Sequence, residues 1–259
     1  MRQWYTIFQK EMLENWRNFK WVWVPLVILL LSIMDPITTY YMPEILDAVG
    51  NLPEGAVFKM PTPSPVESIM MSLSQLNTLG VLVIILMSMQ TITGEIKSGV
   101  SEIILVKPVS YSNYVTAKWA SFILISLASL FVGLIGSWYY TNLLFGDLNF
   151  IDLLKVFAFY SLWFMFIISL SIFFNTIVKS QGIILFLTIV VVMALNLLTS
   201  VLGKYFNWSP SQLSQHIEDM LLTNHISTDL IMSAIITIAA SLLLLIGSIT
   251  FFQSKKIVE

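Results

Sequence analysis

The sequence predicts an all-α integral membrane protein with six transmembrane helices, and three observations carry that prediction. Of the 259 residues, 57% are hydrophobic and only 11% are charged, whereas a soluble domain carries about 25% charged residues. Six apolar stretches are each long enough for the roughly 20-residue helix that crosses a ~30 Å hydrocarbon core. Lys and Arg are unevenly shared between the segments that join those stretches, as they are when one side of a membrane attracts them.

Residues 1–20, MRQWYTIFQKEMLENWRNFK, come first. Trp4, Ile7, Phe8, Met12, Trp16 and Phe19 recur at helical spacing, and Arg2, Lys10, Glu14, Arg17 and Asn18 fill much of the remaining circumference. Such a helix is expected to lie in the cytoplasmic interface of the bilayer, with packing on the protein's own inner face as the alternative. The stretch is too polar for a cleavable signal peptide. The spans follow at about 21–41, 69–92, 119–140, 153–178, 182–202 and 230–252.

Two outer loops carry readable punctuation. Residues 42–68 hold five of the nine prolines and end in Ser64-Pro65-Val66-Glu67. That is an N-cap with Pro at the first helical position and Glu at the third, so the second helix should begin there. Residues 203–229 contain Ser209-Pro210-Ser211-Gln212, and a short helix is expected from about 210 to 222, ending near Asn224. Its apolar side is Leu213, Ile217, Met220 and Leu221.

With the N-terminus placed in the cytoplasm, ten of the thirteen Lys and Arg fall inside and only Lys59, Lys155 and Lys204 fall outside. Both termini are therefore expected in the cytoplasm of a multi-pass protein of the cell membrane. Trp21, Trp23 and Trp119 mark the inner interface, and Tyr40, Tyr41, Trp138, Tyr139 and Tyr140 the outer one. Trp163, deep in the fourth span, is expected to pack against another helix. The absence of Cys excludes thiolate chemistry and disulfides. The preference for Ile, and for Lys over Arg, suggests a low-GC bacterium.

The sequence has no Gly-rich loop ending in Gly-Lys-Ser/Thr and no His-Glu-x-x-His helix, so it offers neither an ATP-phosphate cradle nor a catalytic zinc site. His216 and His225 both lie in the last outer loop and read as ordinary residues rather than metal ligands. The spans are almost free of ionisable groups, and Asp35 is the main exception. Ion-coupled carriers keep such groups near the midplane. A stand-alone secondary transporter or channel is therefore disfavoured; it and a non-transporting membrane scaffold or sensor subunit stand as the alternatives. Uncharged polar residues cluster instead: Ser74, Gln75, Asn77 and Thr78 in the second span, and Asn196, Thr199 and Ser200 in the fifth. They serve either as interhelical hydrogen-bonding groups or as the lining of a substrate path, for which Gln75, Asn77, Thr78, Asn196 and Thr199 are the candidates.

The segment 93–118, TGEIKSGVSEIILVKPVSYSNYVTAK, concentrates charge that the rest of the chain avoids. A short helix is expected between Ser98 and Val106, with Glu95, Lys97 and Glu102 projecting into the cytosol and Pro108 ending it. Gly94 should end the second helix, and Tyr114 and Trp119 should sit at the interface. The segment is either a plain re-entry elbow or a docking surface for a cytoplasmic partner.

This segment resembles the cytoplasmic loop of ATP-binding-cassette permeases of the ABC-2 exporter family. The matching positions are Glu95, Gly99-Val100, Glu102, Ile104-Leu105, Pro108, Ser110 and Lys118. Val100 stands where Thr is common and Tyr111 where Arg is common. An amphipathic first helix, six spans and an outer helix before the last span extend the resemblance over almost the whole chain. The resemblance implies a permease half that pairs with a second, identical or homologous half and is driven by two separate ATPase subunits. ATP and Mg would be held by those subunits, with no cofactor and no catalytic activity in this chain. It further implies that 93–118 is a coupling loop, with Glu95, Gly99, Glu102, Leu105 and Pro108 docking the ATPase. The direction implied is export. The nearly uncharged interior suggests a hydrophobic or amphipathic cargo, such as a peptide, an antibiotic or a lipid-like molecule, and no nucleic acid.

Overall fold

The structure, a computed structural model, describes residues 2–49, 62–99 and 110–258. Helix α1 (Arg2–Arg17) leads through a corner at Phe19 into α2 (Lys20–Val49). Phe19 takes a φ of 55°, and its carbonyl accepts the first backbone bonds of α2, from Val22 and Trp23. The next membrane-length segment is broken into four pieces. They are α3 (Pro65–Gln75), a π-helical turn (Leu76–Gly80), α4 (Val81–Ser88) and α5 (Thr93–Lys97). Then come α6 (Tyr111–Leu144), α7 (Phe150–Ile177), α8 (Gln181–Leu202), the short α9 (Leu213–Thr223) and α10 (Thr228–Val258). Among the described residues, six helical segments have the length and apolarity to cross a membrane, from Lys20–Leu46 to Thr228–Ser254.

Local chemistry sets the boundaries. Ser64 and Glu67 form a reciprocal capping box, with Pro65 inside the first turn of α3. Ser110 caps α6 by accepting from the Asn113 backbone N–H. Helix α9 ends on Asn224 in the left-handed conformation, φ 54°, where Asn is one of the few non-Gly residues tolerated. The apolar side of α9 (Leu213, Ile217, Met220 and Leu221) is buried in the core, so this helix rests on the protein itself.

Apolar helices gain little from the hydrophobic effect inside lipid, so small residues and hydroxyl pairs must hold them together. Gly133 and Gly136 of α6 lie against α2. A Cβ on Gly133 would stand 2.7 Å from Ser32 Oγ, and one on Gly136 would stand 2.3 Å from Leu29 Cδ1. Beside this contact Ser72 Oγ donates to the Ser32 carbonyl at 2.6 Å and pairs with Ser137 Oγ at 2.7 Å, while Ser68 pairs with Thr141 at 2.9 Å. A second seam joins α4 and α7. Ser88 Oγ meets Ser171 Oγ at 2.7 Å, and the Asn175 amide bonds the Ser88 carbonyl and the Thr93 hydroxyl.

Helices α6 and α7 run antiparallel in one register along their whole length. Trp119 Nε1 donates to Ser169 Oγ at 2.8 Å, Phe131 meets Phe157 edge-on, and Trp138 meets Phe150. Trp163 is buried and stacks on Phe166. By contrast, α2 and α8 are largely uncovered, with Val201 of α8 79% exposed, and these are surfaces for lipid or another chain.

Candidate functional site

At one end of the bundle, α1, α5 and the start of α6 converge on a cluster of five charged side chains. Lys118, two turns into α6 and directly before its apolar run, is 1% exposed. Its Nζ donates to Glu11 Oε1 at 2.7 Å and lies 3.0 Å from Glu95 Oε2. Lys10 lies 3.0 Å from Glu11 and 2.8 Å from Glu14, and it also pairs with Glu95. The Tyr114 hydroxyl donates to the same Glu95 carboxylate, and its ring stacks on Phe252 of α10 at 5.4 Å.

Taking a carboxylate out of water costs several kcal/mol unless charge and hydrogen bonds replace the solvent. Here Glu95 has Lys10, Lys118 and Tyr114, and Glu11 has Lys10 and Lys118, so both buried carboxylates are compensated. Burial by itself would lower the Lys10 pKa, but the carboxylates of Glu11, Glu14 and Glu95 outweigh it and leave that pKa raised. The oxygens of Glu11, Glu14 and Glu95 lie within 4.8 Å of one another, and Lys10 contacts all three. Lys20 completes the end of the bundle. Its Nζ bonds the Met87 carbonyl at 3.2 Å and sits 4.7 Å above the Phe122 ring. A cavity of about 580 Å³ opens beside the cluster, lined in part by Glu14, Asn15, Asn18 and Gln90.

The cluster corrects two expectations. Glu95 does not project into the cytosol; it is 6% exposed, because Lys10, Lys118 and Tyr114 draw it inward. Tyr114 is likewise fully buried rather than interfacial. Lys97 is exposed, as the sequence suggested. Gly94 does not end the second helix, since the chain turns at residues 89–92 and re-forms as α5 through Gly94. Gly99 has a φ of +74°, a conformation that side chains disfavour. Glu102, Leu105 and Pro108, and the short helix expected between Ser98 and Val106, lie outside the described residues.

Sequence reasoning missed Glu11, Lys10 and Tyr114. The signal present was Lys118, an ionisable group followed directly by an apolar run, which demands a partner. Helix α1 buries the stripe Ile7, Glu11 and Asn15, spaced four apart, while its Tyr5, Leu13 and Trp16, and Phe19 at the corner, stay exposed. The Ile7–Glu11–Asn15 stripe meets the protein, and Tyr5 and Trp16 face outward.

At the opposite end lie the polar residues suggested for a substrate path. Asn77, in the π-turn, accepts from the Tyr160 hydroxyl at 3.0 Å and donates to Ser214 of α9 at 3.1 Å. It also lines, with Thr78 and Asn196, an apolar cavity of about 280 Å³ between the π-turn and α8. Thr199 bonds Ser209 and Ser211, and with Asn196 it lines a larger polar cavity of about 610 Å³. Gln75 lines neither cavity. His216 is buried, with Nε2 2.8 Å from the Asn207 carbonyl, so it fixes the loop. Structural bonding and cavity lining therefore coexist in Asn77 and Thr199.

Comparison with known proteins places this geometry. Residues 5–223 match the sequence model of a family described as ABC-2 family transporter protein. The chain is also 32% identical over 217 residues to the uncharacterized transmembrane protein YxlG of Bacillus subtilis (strain 168), and the aligned part covers 84% of each chain.

Proposed function

The chain belongs to the ABC-2 transporter family, and from that premise we propose that it is the membrane-spanning half of an ATP-binding-cassette exporter. It acts as a permease component in a lipid bilayer, served by ATPase partners. In this reading two copies, or this chain and a homologue, form the path. Two ATPase subunits, carrying ATP and Mg, dock on the 93–118 segment through Gly99, Glu102, Leu105 and Pro108, with the buried Glu95 holding the segment's stem from inside. The cargo is hydrophobic or amphipathic, and Asn77, Thr78, Asn196 and Thr199 border its route, with Gln75 nearby.

The single observation that supports this reading best is the buried cluster around Glu95. It fastens the stem of the coupling segment to α1 and α6 through Lys10 and Lys118. A force applied at the 93–118 segment then reaches two further helices through buried ion pairs, rather than dissipating in a loose loop. Glu95 thus supports coupling from inside the bundle, as a positioning residue, while the exposed part of the segment meets the ATPase.

The test is purification of the tagged full chain from its native cells in mild detergent, beside Glu102→Lys. A soluble ATPase should accompany the parent chain and be lost from the variant. Recovery of no ATPase under several gentle conditions would return the segment to a plain elbow.

A further inference from the structure

The two cavities at the end opposite the charge cluster meet at Asn196, which lines both. Their linings differ sharply. The smaller, of about 280 Å³, is walled by Leu79, Val81 and Leu82 on one side and by Ile189, Val192 and Met193 on the other. The larger, of about 610 Å³, is lined by amides such as Asn196, Asn207 and Gln215, by the Ser211 hydroxyl, and by the exposed carboxylates Asp219 and Asp229. Among its described lining residues the one basic side chain is His216, whose Nε2 is held against the Asn207 carbonyl. The π-helical turn Leu76–Gly80 forms part of the apolar wall, and such turns recur at functional sites.

Resting on the exporter reading above, we propose that these joined cavities are one binding slot for an amphiphile with a cationic head. The apolar chain occupies the sleeve between the π-turn and α8. The head occupies the polar chamber, where Asp219 and Asp229 supply the countercharge and the amides and hydroxyls replace its water. A neutral amphiphile would leave both carboxylates unused, and an anionic one would be repelled by them. Charge complementarity therefore selects the cation.

The test needs no ATPase. Full-length protein in phosphatidylcholine nanodiscs is titrated with submicellar radiolabelled dodecyltrimethylammonium, and in parallel with dodecyl sulfonate and dodecyl maltoside, with empty nanodiscs subtracted. The cation should bind most tightly, and the double substitution Asp219→Asn with Asp229→Asn should weaken it about tenfold, the equivalent of about 1.4 kcal/mol, leaving the maltoside unchanged. Gln215→Lys should weaken the cation and strengthen the sulfonate, a reversal that misfolding cannot produce. Leu79→Trp, which fills the sleeve, should weaken all three probes. Equal binding of cation and sulfonate, or no response to the carboxylate substitutions, overturns the proposal. So does a Leu79→Trp effect confined to self-association, which would mean that a second copy covers the groove. Recovery of an ATPase without cation preference leaves the exporter reading intact and removes the head-group assignment. Cation preference without an ATPase does the reverse.

Discussion

Lys118 is the residue on which the cluster turns, because it is the most deeply buried of the five charges and bridges Glu11 and Glu95. Removing one partner of a buried ion pair strands the other, at a cost of about 3–5 kcal/mol. Lys118→Met should therefore lower the melting temperature of the purified protein markedly, and Lys118→Arg should recover part of the loss. An unchanged melting temperature in Lys118→Met would mean that the cluster contributes nothing to stability. The Lys10 contribution has a defined pH sense. Its pKa is raised in the folded protein by the neighbouring carboxylates, against burial. Its stabilisation is thus complete below the ordinary lysine pKa of about 10.4 and is lost only as pH rises through the higher folded value. Scanning calorimetry from neutral pH to about pH 9 should show no loss attributable to Lys10, and a Lys10→Met variant should be less stable throughout that range. Lys118 was legible in the sequence as an ionisable group against an apolar run. Glu11 was not, because which stripe of α1 turns inward depends on α6, more than a hundred residues away.

At the scale of helices, close approach is written into glycine, and the same residue type predicts opposite outcomes in two places. Gly133 lets α6 press against α2, and an added Cβ would lie 2.7 Å from Ser32 Oγ, 2.9 Å from Ile28 Cγ2 and 3.2 Å from the Ile28 carbonyl. Gly133→Ala must push the α2 backbone away and should cost about 1–3 kcal/mol. Gly182, in the first turn of α8, has open space around its Cβ position, and Gly182→Ala should stabilise by up to about 1 kcal/mol through helix propensity. Thermal unfolding of both variants checks the pair, and the same sign in both would contradict the packing. The six membrane-length helices and some of the caps were legible, but the run of α2 on to Val49 and the Ser110 cap of α6 were not. The Ser64–Glu67 box, Pro210 and Asn224 announced their ends through local chemistry. The π-turn at Leu76–Gly80 was not, since its position is fixed by tertiary bonds from Asn77 to Tyr160 and Ser214. Nor did an amphipathic pattern reveal that α5 would fold inward, because two lysines distant in sequence pull Glu95 there.

The whole molecule separates two chemistries at its two ends, the ion-paired cluster at one and the amphipathic slot at the other, with hydroxyl-stitched apolar helices between. Which end faces the cytoplasm decides whether the proposed functions can work. The charge distribution gives the expectation: with the N-terminus inside, ten of the thirteen Lys and Arg of the sequence fall in inner segments, and Lys and Arg flanking short loops are retained in the cytoplasm. The absence of cysteine makes the arrangement directly measurable, because any introduced thiol is the only one. Ser98 lies beside α5 at the cluster end, and His225 follows α9 at the slot end; both are exposed. A membrane-impermeant maleimide applied to intact protoplasts should label His225→Cys at once and Ser98→Cys only after the membrane is opened. That outcome puts the 93–118 segment within reach of a cytoplasmic ATPase and the slot at the outer face, where an exporter discharges its cargo. Labelling of Ser98→Cys in intact protoplasts would place the segment outside, where no ATPase subunit could reach it, and the coupling assignment would fall whatever the family.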